Sequence, residues 1–190
     1  MQKSGQQFRK YTGSLFRSYL SGLEMLGLRA EVRQRVPAPV AKLMDTPPLH
    51  SAWVDIDAVS PLLHAVMNLK GREGVRRLGY EATRGTTLKF LKPQMQTVTM
   101  LSGKTPSALF AAMDSLCRPF FTGLSFRWTR ESHRSGTLEL RSASTLDTAS
   151  FAAWEGTLLL LFDECDVTTG TISPAVISEQ GHVGTMHVQW

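Results

Sequence analysis

The sequence has few cysteines and no long apolar run, and each shortage excludes a class of protein. Cys117 and Cys165 are 48 positions apart, so they form neither a disulfide framework nor a CxxC metal or redox pair. No stretch approaches the roughly 18 to 20 apolar residues that cross a bilayer, and no apolar segment follows the charged start as in a secretory signal. We therefore expect a soluble, cytoplasmic protein with reduced thiols.

Positive charge is missing from one end of the chain. Residues 151–190 contain no Lys or Arg against 5 Asp or Glu, whereas residues 1–104 contain 16 Lys or Arg against 7 Asp or Glu, within a net charge of +5. A positive half and a negative end can attract each other within one molecule or between two copies. A charge scatter that only keeps the protein in solution explains the pattern equally well. The excess of cations alone therefore does not indicate nucleic-acid binding.

Internal repeats, low-complexity tracts and long flexible linkers are also absent. With 190 residues, 42% of them hydrophobic, the chain is of ordinary size for one domain with its own core. Prolines between positions 37 and 48 bound a short segment after the first helical pattern. We expect one domain over residues 1–190, with an N-terminal helix and Pro-bounded segment over 1–48 and an α+β core over 49–190.

Apolar residues recur at three- and four-residue steps in the first part of the chain, which indicates helices. Thr105 followed by Pro106 is typical of an N-cap and first helical position, and Gly27 and Gly71 are typical of helix ends. Ser14 is a further cap candidate, as are Asp57 and Ser60. The predicted helices cover residues 14–27, 57–71, about 73–90, and 106–118.

After Pro119 the apolar period changes to two, which indicates strands. Leu124, Phe126 and Trp128 alternate with polar residues, and a turn at 133–136 completes a hairpin. Asp147 can cap a helix that continues to Phe162, and its nearly all-round apolar surface indicates burial against a sheet. Strands over 167–178 and 182–190 follow. The predicted fold class is α+β, with N-terminal helices followed by a ββαββ antiparallel four-stranded sheet.

Four short stretches within residues 50–190 carry a resemblance to known proteins. They are SGKTP at 102–106, GLSFRW at 123–128, WEGTL at 154–158 and HVQW at 187–190. The layout resembles the superfamily of 4-vinyl reductase domains, haem nitric-oxide-binding domains and TRAPP small subunits, and more narrowly a family of bacterial paralogues of about this length. The resemblance implies a small homodimeric module with an apolar pocket between helices and sheet, which senses small hydrophobic molecules or binds proteins.

The residues that hold metal or haem in that superfamily are not found here. Metal-binding members carry a cysteine cluster where this chain has ISEQGH at 177–182, and haem-binding members carry a Tyr-x-Ser-x-Arg signature that does not occur. His182 and His187 lie an odd number of residues apart, so on a strand they point to opposite faces. The sequence therefore predicts no metal site and no cofactor.

We expect a non-enzymatic module of bacterial signalling or regulation that binds a small hydrophobic ligand or a protein partner. No GxSxG elbow is present, and Cys117 lies on the apolar face of its helix, so no catalytic residue is predicted. A metal- or haem-dependent enzyme or sensor stays open as an alternative. The expected pocket residues are His64, Met67, Phe110, Met113, Trp128, Trp154 and Leu158.

Basic residues cluster between positions 70 and 89. Such a surface can bind phosphate in a salt-sensitive way, and a nucleic-acid-associated protein is a second alternative. Neither a helix-turn-helix pattern nor exposed stacking aromatics accompany the cluster, so we interpret it as a solvated face or a docking face for an acidic partner. Its members are Lys70, Arg72, Arg76, Arg77, Arg84 and Lys89.

Overall fold

The computed structural model describes residues 9–190, except for the side chains of residues 86–88. Residues 1–8 of the predicted segment 1–48 therefore lie outside the described residues. The helices are α1 (Gly13–Met25), α2 (Arg29–Arg35), α3 (Ala38–Asp45), α4 (Ser60–Ala82), α5 (Leu88–Ser102), α6 (Pro106–Ala111), α7 (Met113–Cys117) and α8 (Thr148–Asp163). The strands are β1 (Lys10–Thr12), β2 (Trp53–Asp55), β3 (Leu124–Arg130), β4 (Ser135–Ser142), β5 (Thr171–Ile172), β6 (Val176–Ile177) and β7 (Val183–Gln189).

The larger sheet is antiparallel and has the order β3-β4-β7-β5, with β6 also paired to β7. The predicted α+β fold, with helices first and ββαββ strands after them, is therefore confirmed. One predicted strand, 167–178, is divided into β5 and β6, so the four expected strands become five. Pro174 lies between them and has no amide hydrogen to donate to β7.

A two-stranded ribbon of β1 and β2, which the sequence pattern did not predict, lies beside α1. Each strand has only three residues, too few for an alternating pattern to be recognised. The Thr12 amide donates to the Phe120 carbonyl at 3.0 Å, and the Tyr11 ring packs edge-on against Phe121 with 5.1 Å between centroids. These contacts join the start of the described chain to the segment after α7.

Glycines end or interrupt the helices where the sequence indicated. Gly27 has a φ of 67° after α1, and Gly71 has a φ of 67° and a ψ of −170° within α4. Both lie in the region that other residues rarely adopt. Because helical structure resumes directly after Gly71, two predicted helices form one broken helix. It continues through a π-helical turn, Thr83–Thr87, into α5.

Two helix starts are capped as predicted. The Thr105 hydroxyl accepts a hydrogen bond from the Ala108 amide at 3.2 Å before α6, and the Asp147 carboxylate accepts one from the Ser150 amide at 2.8 Å before α8. At α1 the N-cap is Thr12 and its side chain makes no capping bond, so the expectation of a Ser14 cap is wrong.

Helix α8 lies between two hydrophobic clusters, which explains its all-round apolar surface. Its alanines, Ala149, Ala152 and Ala153, pack with α1 to α4, while its larger side chains pack with the sheet, α6 and α7. Gly184 of β7 leaves room for the Phe151 ring, which an added Cβ would overlap. The sheet therefore covers only one side of α8. Within residues 9–190, no helix has the length and hydropathy needed to span a membrane.

Candidate functional site

An apolar cavity lies where α1, α5, α7 and α8 meet, beside the end of α4. Its volume is about 40 Å³, which suffices for only a few water molecules at roughly 10 to 15 Å³ each. Pockets for drug-sized ligands usually measure about 300 to 1,000 Å³, so in this structure the cavity is too small for such a ligand. Its lining consists of Leu15, Tyr19, Ala82, Thr83, Leu91, Met95, Met113, Leu116, Cys117, Phe120, Phe121, Trp154, Thr157, Leu158, Leu160 and Leu161.

The side chains that line the cavity include three with a sulfur atom and one with a phenol oxygen. Met95, Met113 and Cys117 supply the sulfurs and Tyr19 the phenol. Burial raises the pKa of both the Tyr19 hydroxyl and the Cys117 thiol, so both groups are neutral at physiological pH. Among the described residues, no histidine reaches the cavity.

The wall formed by α5 is held less firmly than the others. Within residues 89–102 of this helix, Met95, which is 3% exposed, is the one buried residue. Phe90, Met100 and Leu101 are 52%, 86% and 82% exposed. Pro93 removes one hydrogen bond from the middle of α5. Few buried contacts therefore oppose an outward movement of this helix.

The wall formed by α8 is rigidly attached to α4. The hydroxyls of Thr83 and Thr157 both donate to the Gly79 carbonyl, at 2.9 and 3.2 Å. Since these polar groups are satisfied by the backbone, they do not make the cavity hydrophilic. An added Cβ at Gly156 would come within 2.6 Å of the carbonyl carbon of Arg76, so the two backbones are in direct contact.

A fully buried carboxylate, Glu155, adds an ion pair to the contact between α8 and α4. Its Oε1 accepts from Arg72 Nη2 at 2.5 Å and from the Ala175 amide at 2.9 Å, and its Oε2 lies 3.6 Å from Arg76 Nε. Burial raises the pKa of Glu155, although the Ala175 amide and both arginines oppose this effect. Glu155 thereby connects α8 to α4 and to the segment between β5 and β6.

This ion pair divides the predicted basic docking face. Arg72 and Arg76 are half-buried and face Glu155, so they are not part of a solvated surface. The expectation of a single face is therefore wrong for these two residues, because their neighbour in space is a buried carboxylate from another helix. The remaining exposed members are Lys70, Arg77, Arg84 and Lys89.

The structure brings three of the seven expected pocket residues together. Met113, Trp154 and Leu158 line the cavity. His64 does not, because its exposed ring contacts the Asp147 carboxylate instead. Burial by itself would raise the pKa of Asp147, but hydrogen bonds from the Ser150 amide and His64 outweigh it, so this pKa lies below its usual range.

The other three expected pocket residues also lie outside the cavity. Met67 is half-buried and packs with the helical cluster. Phe110 is 1% exposed and stacks on Trp128 with 5.0 Å between ring centroids. Trp128 Nε1 donates to the Ser107 hydroxyl at 3.1 Å. These side chains fill space between α6 and the sheet.

The sequence analysis missed Met95 and Tyr19, and it treated Cys117 only as a core thiol. A signal for Met95 exists, since Leu91, Met95 and Val98 follow one another at four- and three-residue steps. No local pattern distinguishes a side chain that lines a cavity from one that fills a core. In the part of the chain that the structure describes, no group of three or more His, Cys, Asp or Glu side chains could hold a metal ion.

Several solved structures share this fold. The oxygen complex of an oxygen-binding H-NOX domain related to soluble guanylate cyclases has a TM-score of 0.64 at 12% identity, with 94% of each chain covered. The Fe(II) unliganded H-NOX protein from K. algicida has a TM-score of 0.64 at 11% identity, covering 94% of this chain and 95% of its own. No family model and no curated protein matches the sequence. Identities this low establish the fold alone.

A third structure concerns the modulation of haem redox potential through protein-induced porphyrin distortion. Its TM-score is 0.64 at 12% identity, over 94% of this chain and 99% of its own. The predicted function, a non-enzymatic module for an unspecified hydrophobic ligand or a protein, is wrong in the light of these haem-associated neighbours. The alternative of a haem-dependent sensor agrees with them better, and the resemblance to haem nitric-oxide-binding domains is confirmed for the fold.

Proposed function

We propose that this chain is a haem-dependent sensor domain in which the haem occupies the cavity between α1, α5, α7 and α8. The observation that carries the proposal is the coincidence of two features. The chain shares the H-NOX fold over 94% of its length, and its apolar cavity is lined by three sulfur side chains. A buried apolar site with a few donors is the usual setting of a cofactor.

The donors in the cavity suit a haem iron. Thioether and thiolate sulfur are both known axial ligands of haem, and a bound haem would supply an iron centre able to hold a diatomic gas. Because burial keeps Cys117 protonated, the neutral thioethers of Met95 and Met113 are the donors that need no deprotonation. Trp154 and Leu158 exclude water from the same space.

A volume of about 40 Å³ does not hold a macrocycle, so binding requires one wall to move. The wall that moves at least cost is α5, because Met95 is the one buried side chain among those of α5 that the structure describes. Exposing one such side chain costs about 1.5 to 3 kcal/mol. Moving α8 would instead expose 12 buried residues and break the Glu155 ion pair. The α5 helix therefore acts as the lid of the site.

The test is titration of the purified protein with hemin, followed by visible absorption and gel filtration. We expect a Soret band whose intensity saturates at about one haem per chain, and we expect the haem to elute with the protein. Met95→Leu should shift the band or weaken binding by at least about tenfold. Met100→Leu, at a methionine of the same helix that is 86% exposed, is the matched control and should change neither. Absence of a saturable band refutes the proposal.

Other features of the module rest on the resemblance alone. In this proposal the domain binds a signal and performs no catalysis, and kinship with the 4-vinyl reductase and TRAPP branches stays a prediction. The same holds for a homodimer and for a place in bacterial cytoplasmic signalling. Native mass spectrometry of the hemin-loaded protein reports the haem content and the oligomeric state together.

A further inference from the structure

A second concave site lies outside the cavity between α1, α5, α7 and α8, and it takes no part in the proposed haem site. It is a cleft of about 650 Å³ between the loop before α6, the β3–β4 turn and the segment after α8. This volume falls within the range of roughly 300 to 1,000 Å³ that is usual for small-molecule sites. The side chains that matter for its chemistry are Lys104, Arg130, His133, Arg134, Asp166 and Trp190.

The cleft carries an excess of positive charge. Lys104 Nζ pairs with Asp166 at 2.5 Å, so these two charges balance. Arg130 and Arg134 have no carboxylate partner among residues 9–190. The adjacent Glu131 contacts Thr137 and His187 instead. Two guanidinium groups are thus left to bind an anion.

Local hydrogen bonds hold the Arg130 guanidinium and the Arg134 backbone in place. Arg130 Nε donates to the Ser132 carbonyl at 2.8 Å, and its Nη2 lies 2.9 Å from His133 Nδ1. The Trp190 amide donates to the Arg134 carbonyl at 2.9 Å. The end of β7 is thereby tied to the β3–β4 turn, so the backbones of Trp190 and Arg134 keep a fixed distance. A site whose groups are held before binding loses less entropy when a ligand arrives.

An aromatic side chain completes the cleft. Trp190 is half-buried, and its ring contacts Trp128 at 6.3 Å and Phe162 at 6.4 Å between centroids. Trp128 in turn stacks on Phe110. This cluster fixes the indole at the edge of the cleft. Flat heterocycles stack favourably on such a ring.

We infer that the cleft binds a small anionic ligand that carries a planar ring, of the mononucleotide class. Arg130 and Arg134 hold its phosphate groups, since planar guanidinium forks match phosphate oxygens in pairs. Trp190 stacks on its base, and the hydroxyls of Thr168 and Thr169 lie within the same cleft for further hydrogen bonds. The inference does not depend on haem binding.

The probe is ADP, with binding followed by isothermal titration calorimetry and by quenching of tryptophan fluorescence. ADP should bind more tightly than inorganic pyrophosphate, which lacks the ring, and than adenosine, which lacks the anion. Arg134→Gln should weaken ADP binding at least about tenfold, and Trp190→Leu by about 5- to 150-fold. Arg77→Gln, at an exposed arginine of α4, is the control and should leave affinity unchanged.

Three results overturn the inference. The first is no heat and no quenching with ADP up to millimolar concentration. The second is equal affinity for ADP and pyrophosphate, which removes the role of the ring. The third is tighter binding of a single-stranded oligonucleotide than of ADP at equal nucleotide concentration, which identifies a nucleic-acid surface instead. Circular dichroism of each variant shows whether it folds. If Trp190→Leu fails to fold, Arg134→Gln still tests the inference, because its side chain is exposed.

Discussion

Gly156→Ala tests the contact between α4 and α8 directly, because it adds one methyl group where the two backbones touch. The new Cβ would lie 2.6 Å from the carbonyl carbon of Arg76 and 3.0 Å from its Cα. Ordinary carbon contacts begin at about 3.5 Å. No rotamer change relieves this overlap, since the atoms opposite belong to the backbone. The helices must therefore move apart by more than an ångström, because the Arg76 carbonyl oxygen lies nearer still to the added Cβ.

The expected cost follows from two opposing effects. Overpacking a well-filled core costs about 1 to 3 kcal/mol, and the upper end applies here because two helices must shift together. Alanine gains about 1 kcal/mol over glycine in helix propensity. The net loss in the free energy of unfolding is then about 2 kcal/mol, which corresponds to a Tm lower by about 4 to 8 °C for a chain of this size.

Urea and thermal unfolding followed by circular dichroism measure this change. Gly85→Ala is the matched control, because the nearest atom to its added Cβ is Ser21 Oγ at 3.8 Å. We expect that control to be as stable as the wild type or more stable by up to about 1 kcal/mol, because alanine has the higher helix propensity there too. If Gly156→Ala unfolds at the wild-type temperature or above it, the close approach of α4 and α8 described above is wrong.

Three further experiments probe the surroundings of α8. Asp147→Ala removes a cap and should lower the free energy of urea unfolding by about 1 kcal/mol. Since the pKa of Asp147 lies below its usual range, the wild type should exceed Asp147→Asn in stability by the full amount near pH 6, and this difference should disappear as the pH falls through the lowered pKa. A difference between the two proteins that does not vary with pH contradicts this. Burial raises the pKa of Cys165 to about 11 and that of Cys117 further, so Ellman's reagent at pH 8 should modify both thiols only after denaturation, and rapid labelling of the folded protein would oppose this assignment. Glu155→Leu leaves the hydrogen-bonding partners of Glu155 unsatisfied and should lower the free energy of unfolding by about 3 to 5 kcal/mol. Glu155→Gln should lower it less, because it retains an oxygen for the Ala175 amide. Equal losses for the two variants in urea unfolding would disprove the role of Glu155 as a hydrogen-bond acceptor.

The elements that the sequence predicted well are those with strong local signals. Thr105 and Asp147 cap helices because a side-chain oxygen next to an apolar helical pattern satisfies a free amide. The hairpin β3–β4 follows from alternation on both sides of the predicted turn at 133–136, and in the structure its strands end at Arg130 and resume at Ser135. Pro174 could also have been recognised as a strand interruption, since it cannot donate to a neighbouring strand.

The break at Gly71 and the burial of Met95 in α5 were harder to predict. A glycine at a helix end and a glycine within a broken helix have the same local signature, and only packing of the next segment distinguishes them. Met95 is separated from the other buried residues by exposed neighbours. Its burial depends on α7 and α8, which follow it in the chain.

The sequence by itself determined the order of helices and strands, the capped helix starts and the apolar surface of α8, because each depends on residues a few positions apart. The tertiary structure alone decided which side chains meet. Tyr19, Met95, Cys117 and Leu158 line one cavity although 139 positions separate the first from the last. Arg72, which looked like a solvated cation, faces a buried carboxylate 83 positions away. Such contacts depend on how helices cross, and glycines at the crossing of α4 and α8 set that geometry.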